Sequence, residues 1–146
     1  MKSKYFVLLL LVFILALPPL STAGDFDGTQ PLVCTVIDFT ECTMEEGCRR
    51  VTPEEVNLPR IFWIDVKNRI IKDQEKDEGE GSRKSSIMSV QRIDNKLILQ
   101  GAEEGYENIQ DGFGWTIVIM QDTGRMVLTA SGDLVGNVAF GVCTPY

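Results

Sequence analysis

The chain has 146 residues, of which 14 are basic and 21 acidic, so its net charge near neutral pH is −7, and it contains no histidine. Phosphate backbones and anionic membrane surfaces are bound through clustered lysine and arginine, so this charge balance argues against nucleic acid and charged membranes as partners. The absence of histidine excludes the Ser-His-Asp and Cys-His arrangements of nucleophilic catalysis.

The first 23 residues have the pattern of an export signal. Lys2 and Lys4 precede an uninterrupted apolar run over 6–17, and small residues follow it. This order is typical of a cleaved secretory leader. A pair of prolines ends the run well short of the roughly 20 residues that a membrane-spanning helix needs. We therefore predict a signal peptide over 1–23, a single disulfide-stabilised β domain over 24–146 and no stable membrane anchor. An uncleaved anchor is the alternative.

The four cysteines of an exported chain are best explained as two disulfides. An even number of cysteines in a small exported domain is typical of a disulfide framework. Their spacing contains none of the two-residue gaps of zinc sites, and histidine is absent as a partner ligand. Sequence alone cannot choose among the three possible pairings. If the first and last strand-like segments are neighbours, Cys34 pairs with Cys143 and Cys42 with Cys48, which is the pairing that we prefer.

From residue 32 onward, short runs rich in β-branched and aromatic residues alternate with turn residues, as in an all-β sandwich or barrel. Asp94-Asn95 is a two-residue hairpin signal, and Gly124 can take the positive φ that its turn requires. The predicted strands cover residues 32–39, 60–65, 69–72, 86–93, 96–101, 115–120, 125–131 and 137–143.

One short helix is predicted near residues 53–57. Thr52 stands at the N-cap, Pro53 at the first helical position and Glu55 where a capping box needs it. Pro59 then prevents the helix from extending further.

Eight strands, mostly joined by short turns, favour an antiparallel up-and-down meander with long loops over 72–86 and 102–114. Closing the meander into a barrel removes exposed edges, and a five-on-three open sandwich is the alternative. An eight-stranded barrel is filled by its own side chains or holds one small ligand. We expect a packed interior in which Trp63 and Trp115 serve as filling.

Carboxylate pairs are the remaining candidates for a catalytic site. A glycosidase acid and base need a defined separation across a cleft. The candidates all lie beside predicted turns, where carboxylates are mostly exposed, so we favour solubilising charge as their role. We predict no catalytic residue, no cofactor and no metal site. The pairs are Asp38 with Glu41, Glu45 with Glu46, and Glu103 with Glu104.

The C-terminal half contains the segments "RKSSIMSVQRIDNKLILQGAEEG", "GWTIVIMQDTGRMVLTASGD" and "NVAFGVC". Together with the N-terminal cysteine cluster, these segments resemble a family of small exported bacterial (proteobacterial-type) proteins of unknown function. The chain departs from the family pattern by an extra serine after Ser85 and a longer loop before Trp115. The resemblance implies export, disulfides and a β-fold, and it implies no activity. The matching positions are Arg83, Ser85, Ile87, Leu99, Gln100, Gly101, Glu103, Trp115, Thr116, Thr123, Gly124, Met126, Phe140, Gly141 and Cys143.

The mature chain would be more acidic still, because loss of Lys2 and Lys4 leaves 12 basic against 21 acidic residues, a net charge of −9. A rigid disulfide-tied β scaffold presents loops, which is where recognition usually occurs. We predict a non-catalytic binding or inhibitor-type module with a basic protein partner, located in the periplasm or outside the cell. The first alternative is a carrier of a small apolar ligand, which requires a hollow barrel. The second is a carboxylate-based hydrolase, which requires two converging acids.

Overall fold

The computed structural model describes residues 26–56, 58–73, 83–105 and 109–146, so the predicted signal peptide lies outside the described residues. The described part is all-β, as predicted, with one short 3-10 helix at Pro53–Val56. Its strands are β1 Leu32–Thr43, β2 Gly47–Arg50, β3 Ile61–Asp65, β4 Ile70–Lys72, β5 Lys84–Ile93, β6 Lys96–Glu103, β7 Phe113–Met120, β8 Arg125–Gly132 and β9 Val135–Pro145.

Eight of these strands form a closed antiparallel barrel. From β3 to β9 each strand pairs with the next, and β1 pairs with β3 on one side and with β9 on the other. The β1–β9 pairing runs from Leu32 opposite Pro145 to Thr43 opposite Val135. The strand β2 lies outside the barrel and pairs only with the last residues of β1. The predicted barrel is therefore confirmed, with one additional strand that the sequence pattern did not predict.

The turns 66–69, 94–95 and 121–124 lie at one end of the barrel, where β1 begins and β9 ends; we call it the closed end. Asp94 and Asn95 both have positive φ, 48° and 61°, as a two-residue hairpin turn of this type requires. The hairpin that sequence predicts at this position is confirmed.

The segment Phe26–Pro31 covers the closed end. Gly28 is buried with a φ of +80°, and a Cβ at this position would lie 2.8 Å from Val66 Cγ2. Arg92 Nε donates a hydrogen bond of 2.9 Å to the carbonyl oxygen of Asp27, which ties the segment to β5. This covering segment shields the apolar side chains at the closed end from water.

The core lies inside the barrel and follows the alternation of each strand. In β3, Phe62 and Ile64 are buried, whereas Trp63 between them is half-buried. The expectation that Trp63 fills the interior is therefore wrong, because alternation directs it to the outer face. The expectation for Trp115 is confirmed. The buried apolar residues are Leu32, Cys34, Val36, Phe39, Phe62, Ile64, Val66, Ile87, Leu97, Leu99, Trp115, Ile117, Ile119, Met126, Ala130, Ala139 and Cys143.

The predicted short helix is present as a single 3-10 turn, Pro53–Val56, with its capping box formed. The amide of Thr52 donates to Glu55 Oε2 at 2.6 Å, and the amide of Glu55 donates to Thr52 Oγ1 at 3.4 Å. These reciprocal bonds satisfy two backbone donors at the start of the helix.

Both disulfides join residues that stand directly opposite each other on neighbouring strands. Cys34 is bonded to Cys143 across β1 and β9, and Cys42 is bonded to Cys48 across β1 and β2. This is the pairing that the topology argument prefers. Two disulfides indicate an oxidising environment and hence an exported protein.

Candidate functional site

A cavity of about 130 Å³ lies at the end of the barrel opposite the covering segment, which we call the open end. The expectation of a packed interior is wrong at this end. An apolar cavity of about 150 Å³ can remain dry and bind benzene or xenon, so this space suits an apolar group the size of a single six-membered ring. Its apolar lining consists of Val36, Phe39, Leu58, Pro59, Phe62, Ile71, Phe113, Trp115, Ile117, Leu128, Ala130 and Ala139.

The cavity exists because two inward positions near the open end carry alanine. Ala130 on β8 and Ala139 on β9 are both buried and both line the cavity. Nearer the closed end, the buried residue of β8 is the larger Met126. Protein interiors are normally packed without voids of this size. Short side chains on two adjacent strands therefore leave room that no other side chain of the described residues fills.

Trp115 forms one wall of the cavity and depends on Gly101 for its position. A Cβ at Gly101 would overlap the indole ring, so the absence of a side chain lets the ring lie across β6. The indole Nε1–H then donates a hydrogen bond of 2.8 Å to Ser85 Oγ on β5. Tryptophan N–H groups usually find such a partner when they are buried.

Ser85 also lines the cavity, and it is the one polar residue in the described part of the chain that is buried as a whole. The sequence prediction of a long loop over 72–86 is wrong at this residue. Strand β5 begins at Lys84, so Ser85 and Ile87 occupy alternate inward positions. Sequence reasoning missed Ser85 because charged residues precede it and a second serine follows it; the Ser85–Ile87 alternation is the signal that could have found it.

Charged residues surround the mouth of the cavity, in contrast to its apolar walls. Asp73 and Arg83 bracket the β4–β5 connection: the Arg83 amide donates to Asp73 Oδ1 at 3.0 Å, and Arg83 Nε lies 3.7 Å from Asp73 Oδ2. Lys72, Lys84 and Glu103 complete the charged part of the lining. A molecule that entered would pass a polar rim before contacting the apolar interior.

The first candidate carboxylate pair, Asp38 and Glu41, is engaged by arginines of β2. Arg50 Nη2 lies 2.8 Å from Asp38 Oδ2, and Arg49 Nη2 lies 2.7 Å from Glu41 Oε1. Each carboxylate has its own cation, so the two acids contribute to the β1–β2 hairpin. This arrangement favours the interpretation of these carboxylates as surface charge.

The other candidate carboxylates are separated by their local structure. Glu45 and Glu46 are exposed in the turn between β1 and β2. Glu103 ends β6 and lines the cavity, whereas Glu104 follows the strand and is exposed. The structure therefore brings only one acid of this pair to the cavity.

Glu54 and Glu55 are acids whose titration the structure perturbs. A bidentate contact from Arg60, with both N–O distances at 2.8 Å, lowers the pKa of Glu54. The amide of Thr52 lowers the pKa of Glu55 through the capping box. Both effects stabilise ionised carboxylates on the surface; one supports the start of the 3-10 helix and the other joins the helix to Arg60.

Within the ranges that the structure describes, no group of three or more His, Cys, Asp or Glu side chains has a metal-binding arrangement. The same residues contain no helix of sufficient length and hydropathy to cross a membrane.

Comparison with protein-family models, with curated proteins and with solved structures finds no match for this chain. The resemblance to a family of small exported proteins therefore stays a prediction, and the cavity is the feature on which a functional proposal can rest.

Proposed function

We propose that this protein is an exported, non-catalytic binding protein that takes a small apolar molecule, or the apolar part of one, into the open end of its barrel. The supporting observation is the apolar cavity of about 130 Å³ beside Trp115. Ligand sites are typically concave and apolar with a few polar groups, and eight-stranded barrels have room for one small ligand. The sequence alone favours a protein partner over a carried ligand, and the cavity is the reason to reverse that order.

The location of the site in the barrel also supports this function. One end is covered by Phe26–Pro31, and at the other end β4 and β6 end and β5 and β7 begin. Binding residues commonly lie at loop-bearing ends of rigid scaffolds. The periplasm or the extracellular space is the proposed location, in keeping with the two disulfides.

A basic protein partner, which the sequence favours, stays a prediction. The lack of catalytic activity is likewise part of the proposal. Neither changes the use of the cavity, because an apolar side chain of a partner could enter it in the same way as a free ligand.

The test is a titration of the oxidised protein with benzene, followed through the indole N–H signal of Trp115 in proton–nitrogen correlation spectra. Trp115 lines the cavity, whereas Trp63 lies on the outer face and serves as an internal reference. We expect a saturable shift of the Trp115 signal and little change in the Trp63 signal. If neither signal shifts saturably, or if both shift alike, the proposal is wrong.

A pair of matched variants locates the binding. Ala130→Leu places a larger side chain in the cavity, whereas Ala102→Leu makes the same change at an exposed position of β6. We expect Ala130→Leu to abolish the benzene response and Ala102→Leu to retain it. Retention of the response in Ala130→Leu would place the benzene elsewhere and contradict the proposal.

A further inference from the structure

The hydroxyl of Ser85 uses only part of its hydrogen-bonding capacity. A serine hydroxyl has one proton to donate and two lone pairs that can accept. One lone pair accepts the indole N–H of Trp115 at 2.8 Å. Among the residues that the structure describes, no oxygen or nitrogen accepts the Ser85 proton. A buried donor without an acceptor is unfavourable, and such groups normally have a partner.

The cavity is where an acceptor for this proton would be located. Ser85 is only 7% exposed and lines the cavity. Ile71 stands opposite Ser85 on β4, and Ile87 is the next inward residue of β5; neither side chain has a polar atom. The indole N–H holds the Ser85 oxygen in place while leaving its proton unassigned. The missing acceptor would thus be supplied by the molecule that occupies the cavity.

We infer that the ligand of this cavity is a small, neutral, mainly apolar molecule that carries one hydrogen-bond acceptor, such as a carbonyl or ether oxygen, which receives the proton of Ser85. This inference rests on the proposed function, since it specifies the chemistry of the bound molecule. A neutral oxygen suits the position beside Ser85 better than a carboxylate, because one hydroxyl donor cannot replace the hydration of an anion buried among apolar walls, and the cations Lys72, Arg83 and Lys84 belong to the charged rim. The Ser85–Trp115 pair thereby distinguishes oxygen-bearing ligands from plain hydrocarbons.

Two probes of equal ring size and nearly equal shape test this inference: cyclohexanone and methylenecyclohexane, in which a CH₂ group replaces the carbonyl oxygen. Their dissociation constants are measured by ligand-observed NMR on the oxidised protein and on Ser85→Ala. Ser86→Ala is the matched control, because Ser86 is the adjacent residue of β5 and is exposed. We expect Ser85→Ala to weaken cyclohexanone binding about fivefold, the effect of one ordinary neutral hydrogen bond, and to leave methylenecyclohexane binding nearly unchanged. Ser86→Ala should affect neither probe.

Ser85→Ala also removes the acceptor of the Trp115 indole N–H, so it could change ligand binding by displacing the indole ring. A second variant separates this effect from the loss of the Ser85 proton. Trp115→Phe removes the indole N–H and leaves the Ser85 hydroxyl in place. We expect Trp115→Phe still to distinguish the two probes. Adding Ser85→Ala to this variant should therefore weaken the binding of cyclohexanone more than the binding of methylenecyclohexane. Loss of this difference in the Trp115→Phe background would overturn the role of the Ser85 proton.

The outcomes separate this inference from the proposed function. If both probes bind and Ser85→Ala affects them equally, the acceptor inference is overturned while cavity binding stands. The acceptor inference is overturned in the same way if a retained water molecule accepts the proton and the two probes bind alike. If neither probe binds to the unsubstituted protein and benzene gives no response, the proposed function itself fails.

Discussion

The two ends of the barrel differ in how their interiors are covered. At the closed end, three short turns meet the segment Phe26–Pro31, and the ring of Phe26 lies so close to Gly124 that a Cβ there would approach it to 2.5 Å. At the open end, where β4 and β6 end and β5 and β7 begin, there is a cavity with apolar walls and a charged rim. The closed end thus shows close contacts at Gly28 and Gly124, whereas the open end has room for a small ligand.

The difference indicates how one small domain can combine stability with binding. Tight packing and the buried Cys34–Cys143 bridge concentrate stabilising interactions toward the closed end. Stability is not uniform across a structure, and ligand-binding elements are commonly drawn from its less stable parts. Variants at the two ends can therefore test whether the closed end carries more of the free energy of folding than the open end.

The largest expected difference is between the two disulfides. Cys34–Cys143 spans 109 residues and Cys42–Cys48 spans 6, so in the chain-entropy description they contribute about 5 and about 2 kcal/mol. Replacing both cysteines of the long-range bridge by alanine should therefore lower the free energy of unfolding about 3 kcal/mol more than replacing those of the hairpin bridge. Urea unfolding of the two double variants measures this. Equal losses would show that the long-range bridge contributes no more to the free energy of folding than the hairpin bridge.

The next prediction compares two glycines in the same backbone conformation. Gly28 at the closed end and Gly47 in the β1–β2 hairpin have φ of +80° and +75°. A Cβ at Gly28 would meet Val66 at 2.8 Å, whereas a Cβ at Gly47 would have no neighbour within 4 Å. Alanine at either site incurs the left-handed penalty of about 1–2 kcal/mol.

In Gly28→Ala alone, overpacking against Val66 should destabilise the folded state by about a further 1–3 kcal/mol. Urea unfolding of Gly28→Ala and Gly47→Ala therefore isolates the packing of the covering segment, because the backbone penalty is common to both. If Gly47→Ala proves at least as destabilising as Gly28→Ala, the covering segment does not pack against Val66 as described.

Most of the fold could be predicted because its signals are local. Asp94-Asn95, Gly124 and the capping box of Thr52 and Glu55 each specify a short stretch of backbone, and each adopts the expected conformation. The strand β2 was missed because "GCRR" has neither apolar alternation nor β-branched residues; it pairs with β1 on the far side of a short turn. The hairpin at Asp133-Leu134 likewise lacks a signal, since leucine rarely adopts its φ of +66°.

The cavity could not be predicted because it depends on which side chains share a layer inside the barrel. Ala130 and Ala139 are ordinary strand residues in the sequence, and only the β8–β9 register, with Leu128 opposite Ala139 and Ala130 opposite Asn137, brings them together. The same holds for Ser85, which becomes a polar member of an apolar wall only when Gly101 lets Trp115 reach across β6. The geometry of the site therefore depends on how strands that are distant in sequence align with each other, and local sequence patterns do not specify that alignment.

The smallest expected effect is the loss of the Thr52–Glu55 helix cap at acidic pH, which tests the open end alone. The hydrogen bond from the Thr52 amide lowers the pKa of Glu55 in the folded protein. Since the folded pKa lies below the unfolded value, the capping contribution is complete above the unfolded pKa of about 4.3 and is lost as the pH falls through the folded pKa. The amide signal of Thr52 should therefore shift with pH in this acidic range, and proton–nitrogen correlation spectra report it.

Glu55→Gln should remove most of this pH dependence, because glutamine can still accept the Thr52 amide but has no carboxyl group to protonate. Glu45→Gln is the matched control, since it removes one acid from the exposed β1–β2 turn and should leave the pH dependence of the Thr52 amide signal unchanged.

The helix of residues 53–56 precedes Leu58 and Pro59, which line the cavity. A cap that loosens in acid would therefore loosen the wall of the cavity as well. Benzene binding should then weaken at low pH in the unsubstituted protein more than in Glu55→Gln. Equal weakening in both would show that the wall of the cavity does not depend on the charge of this cap.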